Sequence, residues 1–136
     1  MPAFASEADV VVVLVVEDQV FVRIDIIGYL GDAGYTVIEA DSGEAAIALC
    51  NSNTSIDIVI TDINLGGSVD GWAVAERFRA ILPNMPVLYT SGKTIDRSRC
   101  VPGSAILAKP YQHSDILKEC QRLIQHRQTS ARSFRS

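Results

Sequence analysis

The stretch VVVVLVVED, residues 10–18, is the strongest indication of the fold in this sequence. It begins with seven consecutive apolar residues, six of them valine, and these are too few for a membrane-spanning helix, which needs about 20. Short length and β-branched side chains favour a strand. Because the apolar run is uninterrupted, we expect this strand to be buried on both faces, as in the interior of a parallel sheet.

Four more short apolar segments follow, and stretches with helical periodicity separate them. The predicted strands cover residues 10–16, 36–40, 56–61, 86–91 and 105–108. Strands that alternate with helical crossovers form a mostly parallel sheet covered on both faces. The sequence therefore predicts a doubly wound five-stranded α/β fold, and 136 residues fit a single domain of about 100–200 residues.

Helical periodicity is clearest between the first two strands, where Gly34 follows as a stop signal. The apolar residues at three- or four-residue spacing there are Phe21, Ile24, Ile27 and Leu30. Residues 71–82 repeat this amphipathic pattern. These stretches therefore predict two of the helices that cover the sheet.

Capping signals mark two further helices, whereas the link before the last strand has only weak helical signals. Asp41 and Glu44 have the spacing of a capping box, and Ser114 is placed to cap a last helix. Residues 92–104 have weak periodicity and contain the turn pair Pro102-Gly103. We therefore expect a fourth helix of one or two turns, or none.

Composition sets the expected boundaries and excludes some functions. We predict a folded domain over residues 9–126, a flexible leader at 1–8 and a flexible basic tail at 127–136, because both ends lack periodicity. Residues 1–121 carry 8 basic and 16 acidic side chains, whereas residues 122–136 carry four arginines and no acid. An acidic body does not fit a nucleic-acid-binding protein, which presents a basic face.

The predicted compartment is the cytoplasm. The leader MPAFASEAD has two acids and no base, unlike a secretory signal, and no apolar run is long enough to span a membrane. Cys50, Cys100 and Cys120 are odd in number and widely spaced, which argues against a disulfide framework or a zinc site.

Polar side chains stand at the carboxyl ends of the predicted strands, where open α/β sheets bind ligands. Glu17 and Asp18 follow the first strand, Asp62 the third and Lys109 the fifth, and Ser91 ends the fourth. Three close carboxylates repel one another unless a cation compensates them, and oxygen ligands favour Mg²⁺. An aspartate can also attack phosphorus while a lysine and a hydroxyl stabilise the phosphoryl oxygens. Each residue alone has an ordinary explanation as a helix cap or a solvated charge, but together they predict a phosphoryl-transfer site.

Five segments place these residues in a recognisable order. They are Leu14-Val-Val-Glu-Asp18, Asp57-Ile-Val-Ile-Thr-Asp62-Ile-Asn-Leu, Asp70-Gly71, Pro86-Val-Leu-Tyr-Thr-Ser91-Gly92 and Leu107-Ala-Lys109-Pro110-Tyr111. In order and spacing they resemble the receiver domain of two-component response regulators, over about residues 10–126. The resemblance implies a flavodoxin-like fold with strand order 2-1-3-4-5.

The resemblance also implies roles for the site residues. Asp62 would be the phosphoacceptor, and Glu17, Asp18, Asp62 and the main-chain carbonyl of Asn64 would hold Mg²⁺. Ser91 would bond the phosphoryl group.

The resemblance further implies that Lys109 pairs with that group and that a cis peptide bond precedes Pro110. Asn64 and Lys93 would stand beside the path of an attacking water and could tune the lifetime of the acyl phosphate. The alternative for Lys93 is that it simply points into solvent.

Three departures from the family pattern limit what the resemblance implies. Gly66 stands where the family usually has proline, in a loop that is one residue longer than usual. Ile106 replaces the aromatic residue that turns inward on activation in many receivers. The short 92–104 link replaces much of the family's fourth helix, so the common activated dimer is not predicted.

The implied function is a signalling domain and not an enzyme in the ordinary sense. Asp62 would accept a phosphoryl group from a histidine kinase or a histidine phosphotransfer protein, and the output would act in trans. Alternatives are a pseudo-receiver without phosphorylation and a small aspartyl-phosphate hydrolase, although such a hydrolase typically has an acid at the position of Asn64. A flavin or nucleotide binder would need a phosphate-cradling loop where Glu17-Asp18-Gln19 stands.

Overall fold

The computed structural model describes residues 10–93 and 95–135, so the predicted leader at 1–8 lies outside the described residues. Strands and helices alternate along this part of the chain. They are β1 (Val12–Val16), α1 (Val20–Asp32), β2 (Thr36–Ala40), α2 (Gly43–Cys50), β3 (Ile58–Asp62), α3 (Gly71–Ile81), β4 (Val87–Ser91), β5 (Ala105–Ala108) and α4 (His113–Arg135). Each predicted strand is present, with boundaries within two residues of the prediction.

The five strands form one parallel sheet in the order β2-β1-β3-β4-β5, which confirms the predicted doubly wound, flavodoxin-like fold. β3 and β4 are buried along their whole length, because their apolar side chains meet helices on both faces of the sheet. Alternation along β1 divides the core. Val13 and Val15 pack on the side of α1 and α4, whereas Leu14 and Val16 pack on the side of α2 and α3.

The apolar stripe predicted for α1 is wrong in part. Ile26 and Leu30 are the residues that α1 buries in the core, whereas Phe21 is 86% and Ile24 58% exposed. Apolar residues surround most of this helix, so periodicity alone did not identify the face that meets the sheet. Gly34 does follow the helix end, with a φ of +96° that favours glycine.

The weak fourth crossover is confirmed. Between β4 and β5 the described residues form a single 3-10 turn, Arg97–Arg99, and its cap is Asp96, whose side chain accepts the Ser98 amide at 2.9 Å. The structure therefore has four α-helices in its described part.

The last helix, α4, runs through Arg135 and so crosses the boundary predicted at 127, while the flexibility of residues 127–136 stays a prediction. No glycine or proline follows Pro110, so nothing in the sequence stops the helix.

Two predicted caps are also displaced. Ser42, rather than Asp41, caps α2 by accepting the Ala45 amide at 3.0 Å. Ser114 lies within the first turn of α4, which begins one residue earlier. Among the described helices, none combines the length and the apolar character needed to cross a bilayer.

Candidate functional site

Three carboxylates meet at the carboxyl edge of the sheet. Glu17 and Asp18 follow β1, and Asp62 ends the neighbouring strand β3. Each residue has an oxygen within 4.8 Å of an oxygen of the other two. The sequence therefore placed this acidic cluster correctly, because parallel neighbours end at the same edge.

Burial makes this cluster unfavourable without a cation. Glu17 is 1% exposed, and desolvation by burial raises the pKa of its carboxyl, with the negative charge of Asp62 acting in the same direction. Two groups oppose this rise in pKa: the Gln19 amide, which donates to Glu17 Oε2 at 3.2 Å, and the charge of Lys109. The buried charge thus favours binding of a further cation.

Lys109 connects the two buried carboxylates. Its Nζ lies 3.4 Å from Glu17 Oε1 and 3.3 Å from Asp62 Oδ2. The Lys109 amide donates to the Ser91 carbonyl at 2.7 Å, which fixes the end of β5 beside the end of β4. The peptide bond to Pro110 is cis, as the resemblance implied.

The loop between β3 and α3 contacts two members of the cluster. The Gly66 amide donates to Asp18 Oδ2 at 3.0 Å, and the Asn64 amide approaches Asp62 Oδ1 at 3.4 Å. The extra length of this loop was visible in the sequence, but its hydrogen bond to Asp18 was not.

Ser91 is buried at the end of β4, the strand next to the one that Asp62 ends, but its hydroxyl bonds the turn that follows β4. Ser91 Oγ donates to the Lys93 carbonyl and accepts the Lys93 amide, each at 3.1 Å. Ser91, Lys93 and Asn64 line one open cleft, whereas the side chain of Lys93 is exposed. The structure thus brings the three residues together, with the Ser91 hydroxyl bonded to the backbone of Lys93.

Two residues near the cluster had no role in the sequence analysis. Burial raises the pKa of Tyr111 to about 12, with the charges of Glu17 and Asp62 adding to the effect. Gly71 packs so closely that a Cβ atom there would lie 2.2 Å from the Asp62 carbonyl oxygen. Both residues stand in the quoted segments, but no local signal distinguishes their contacts.

The family model for the response regulator receiver domain matches residues 13–121, which contain the acidic cluster, Ser91 and Lys109. This chain belongs to that family. The receiver domain is a signalling domain of two-component systems and not a classical enzyme.

Solved and curated relatives agree with this assignment. A response regulator receiver protein from Sinorhizobium medicae is 36% identical with a TM-score of 0.86, over 89% of this chain and 99% of that one. The two-component response regulator ORR5 of rice is 29% identical over 118 residues, 82% of this chain and 87% of its own length. The sensor histidine kinase RcsC of Escherichia coli is 28% identical over 131 residues, or 93% of this chain, but this receiver spans only 14% of that protein.

Proposed function

We propose that this receiver accepts a phosphoryl group on Asp62 from a phosphohistidine of a histidine kinase or phosphotransfer protein, acts in the cytoplasm and signals to a partner in trans. The observation that carries the proposal is the position of the Asp62 carboxylate. It lies at the carboxyl edge of the sheet, 3.3 Å from the ammonium group of Lys109 and beside two further acids.

The proposed cofactor is Mg²⁺, because the donor set fits it. Three carboxylates have oxygens within 4.8 Å of one another; two of them, Glu17 and Asp62, are buried and share one lysine, which leaves negative charge for a hard cation to neutralise. We assign Glu17, Asp18, Asp62 and the main-chain carbonyl of Asn64 as its ligands. When bound, Mg²⁺ would withdraw charge from the phosphoryl oxygens.

The residues of the chain then have distinct tasks in the transfer. A carboxylate oxygen of Asp62 forms a bond to phosphorus while the bond from phosphorus to the donor histidine nitrogen breaks, and that nitrogen keeps the electron pair. Lys109 stabilises the negative charge of the phosphoryl group that Asp62 now carries. Ser91 donates its hydroxyl hydrogen to a phosphoryl oxygen. Asn64 and Lys93 line the cleft from which water would attack, so we propose that they set the lifetime of the acyl phosphate.

Incubation with acetyl phosphate and Mg²⁺, followed by intact-mass spectrometry, tests this function. We expect wild type to gain one phosphoryl group, and EDTA to prevent the gain. Asp62→Asn should gain none, because an amide is a poor nucleophile toward phosphorus. The matched control is Asp32→Asn, an exposed site at the end of α1, which should behave as wild type. If neither acetyl phosphate nor a phosphohistidine donor modifies wild type, a pseudo-receiver becomes the better description.

An exposed apolar patch beside the site supports a protein as the phosphodonor. Val20, Phe21 and Ile24 are 51%, 86% and 58% exposed and share one face of α1, which begins two residues after Asp18. Apolar groups exposed together at the rim of a reactive site are typical of a protein interface. We propose that the donor protein binds this α1 patch.

Replacing Phe21 with serine is expected to slow transfer from a phosphorylated histidine protein at least tenfold, because central aromatic residues dominate interface energies. Phosphorylation by acetyl phosphate should be unchanged, since no partner surface is involved. The control is Ile81→Ser, which removes a 45% exposed apolar residue at the end of α3. Equal slowing with both donors would show that the substitution damages the site itself, and no slowing with either would place the donor elsewhere.

A further inference from the structure

The turn between β1 and α1 carries two of the three clustered carboxylates and has only three residues, Glu17, Asp18 and Gln19. The Glu17 amide still belongs to the sheet, because it donates to the Ala40 carbonyl of β2 at 3.1 Å. β2 ends at Ala40, so the next main-chain group, the Glu17 carbonyl, lies beyond the ladder between the two strands. The group that binds this carbonyl therefore helps to set the direction in which the chain leaves β1.

Arg23, at the end of the first turn of α1, binds this carbonyl. Its Nη1 donates to the Glu17 carbonyl at 2.8 Å, and its Nε donates to Glu39 Oε1 at 3.0 Å. Glu39 lies on β2, so one guanidinium group joins the turn to the neighbouring strand. The side chain of Arg23 is only 13% exposed. Because a guanidinium is planar and its donors have fixed directions, the two bonds together fix the Glu17 carbonyl relative to β2.

Both acids of the turn depend on the peptide group that Arg23 binds. The Glu17 carbonyl belongs to the planar peptide unit that ends at the Cα atom of Asp18, so its direction sets the position from which the Asp18 side chain extends. The Glu17 carboxylate is held separately, by the Gln19 amide at 3.2 Å and by Lys109 Nζ at 3.4 Å. Arg23 bonds the main chain of Glu17 rather than its carboxylate, and would therefore act on a bound cation through the positions of two ligands.

We propose that Arg23 is a positioning residue for Mg²⁺: its two hydrogen bonds hold Glu17 and Asp18 in the arrangement that binds the cation. The inference rests on the proposed function, because that function supplies the cation.

The charge of Arg23 by itself would have the opposite effect. A positive charge beside the acidic turn repels Mg²⁺, so removing that charge would strengthen Mg²⁺ binding if Arg23 acted only through electrostatics. If Arg23 positions the two acids, its removal instead weakens binding. The direction of the change in Mg²⁺ affinity therefore distinguishes the two roles.

Calorimetric titration of the metal-free protein with MgCl₂ measures this change. We expect Arg23→Gln to bind Mg²⁺ about tenfold more weakly than wild type, the lower end for loss of a group that orients a metal ligand. Arg23→Lys keeps the charge, but its single nitrogen cannot bond Glu39 and the Glu17 carbonyl with the same fork geometry, so this variant should also bind more weakly. Binding by Arg23→Gln that equals or exceeds wild type would overturn the inference, and so would wild-type binding by Arg23→Lys.

Arg122→Gln is the matched control for charge. Arg122 pairs with Glu119 within α4, with Nε 2.8 Å from Oε2, and its replacement changes the net charge of the protein by the same amount. This variant should bind Mg²⁺ as wild type does. Thermal unfolding without Mg²⁺ shows whether each variant is folded at the temperature of the titration. If Arg23→Gln does not fold, Arg23→Lys alone decides between the two roles.

Intact mass after incubation with acetyl phosphate and Mg²⁺ separates this inference from the proposed function. If wild type gains one phosphoryl group while the Arg23 variants bind Mg²⁺ as tightly as wild type, only the positioning role of Arg23 is overturned. If wild type neither binds Mg²⁺ nor gains a phosphoryl group, the proposed function is contradicted, and the inference with it.

Discussion

Replacing Gly71 with alanine is expected to lower the free energy of unfolding by about 2–3 kcal/mol, the upper range for overpacking a core. A Cβ atom at this position would lie 2.2 Å from the Asp62 carbonyl oxygen and 2.7 Å from Ile63 Cα. Both neighbours are backbone, so neither can rotate away as a flexible side chain would. Either α3 or the end of β3 must move, and β3 carries Asp62.

Gly28→Ala provides the matched control. Gly28 lies inside α1, and a Cβ atom there would have no neighbour within 4 Å. Alanine is favoured over glycine in a helix by roughly 0.5–1 kcal/mol, so Gly28→Ala should stabilise the domain. Urea unfolding of both variants measures the difference. A neutral Gly71→Ala would mean that the close contact between α3 and β3 does not constrain the protein.

We also expect Mg²⁺ to raise the free energy of unfolding by about 2.7 kcal/mol when its concentration is 100 times its Kd. The reason is that the folded chain gathers three carboxylates at one point, whereas the unfolded chain does not. Asp62→Asn should remove most of this gain, because it deletes one proposed ligand charge. The same substitution should make the metal-free protein more stable than wild type, because Glu17 and Asp18 then face one charge fewer.

Thermal unfolding with and without Mg²⁺ checks this second prediction. Asp32→Asn, far from the cluster in sequence and exposed, should respond to Mg²⁺ as wild type does. The same measurement with Ca²⁺ at equal concentration shows whether the stabilisation is selective for Mg²⁺ or comes from general screening of charge. A wild-type protein whose stability is insensitive to Mg²⁺ would contradict the assignment of Glu17, Asp18 and Asp62 as ligands.

Much of the fold could be predicted because its signals are local. The strands β1, β3 and β4 are continuous apolar runs, and helices cover them on both sides. An uninterrupted apolar run of this length indicates a buried strand in a parallel sheet without any knowledge of distant residues. The weak link before β5 was also visible, since Pro102-Gly103 and poor periodicity leave room for a single 3-10 turn. The extent of α4 was not visible in the basic composition of residues 127–136, although no glycine or proline there stops a helix.

The candidate site follows from the fold by one geometric rule. Parallel strands end at a common edge, so Glu17, Asp18, Asp62, Ser91 and Lys109 converge there whatever the details of packing. Local patterns in the sequence therefore predicted the set of residues at that edge, and the family resemblance implied the strand order.

The direction in which individual side chains turn could not be predicted from the sequence. The tertiary structure exposed Phe21 and Ile24 while burying Ile26 and Leu30, directed the Ser91 hydroxyl to Lys93, and placed Arg99 on Trp72 above Tyr89. The physical reason is that strand and helix signals depend on neighbours along the chain. Face selection and hydrogen-bond partners depend instead on groups brought close by the fold from distant positions in the sequence.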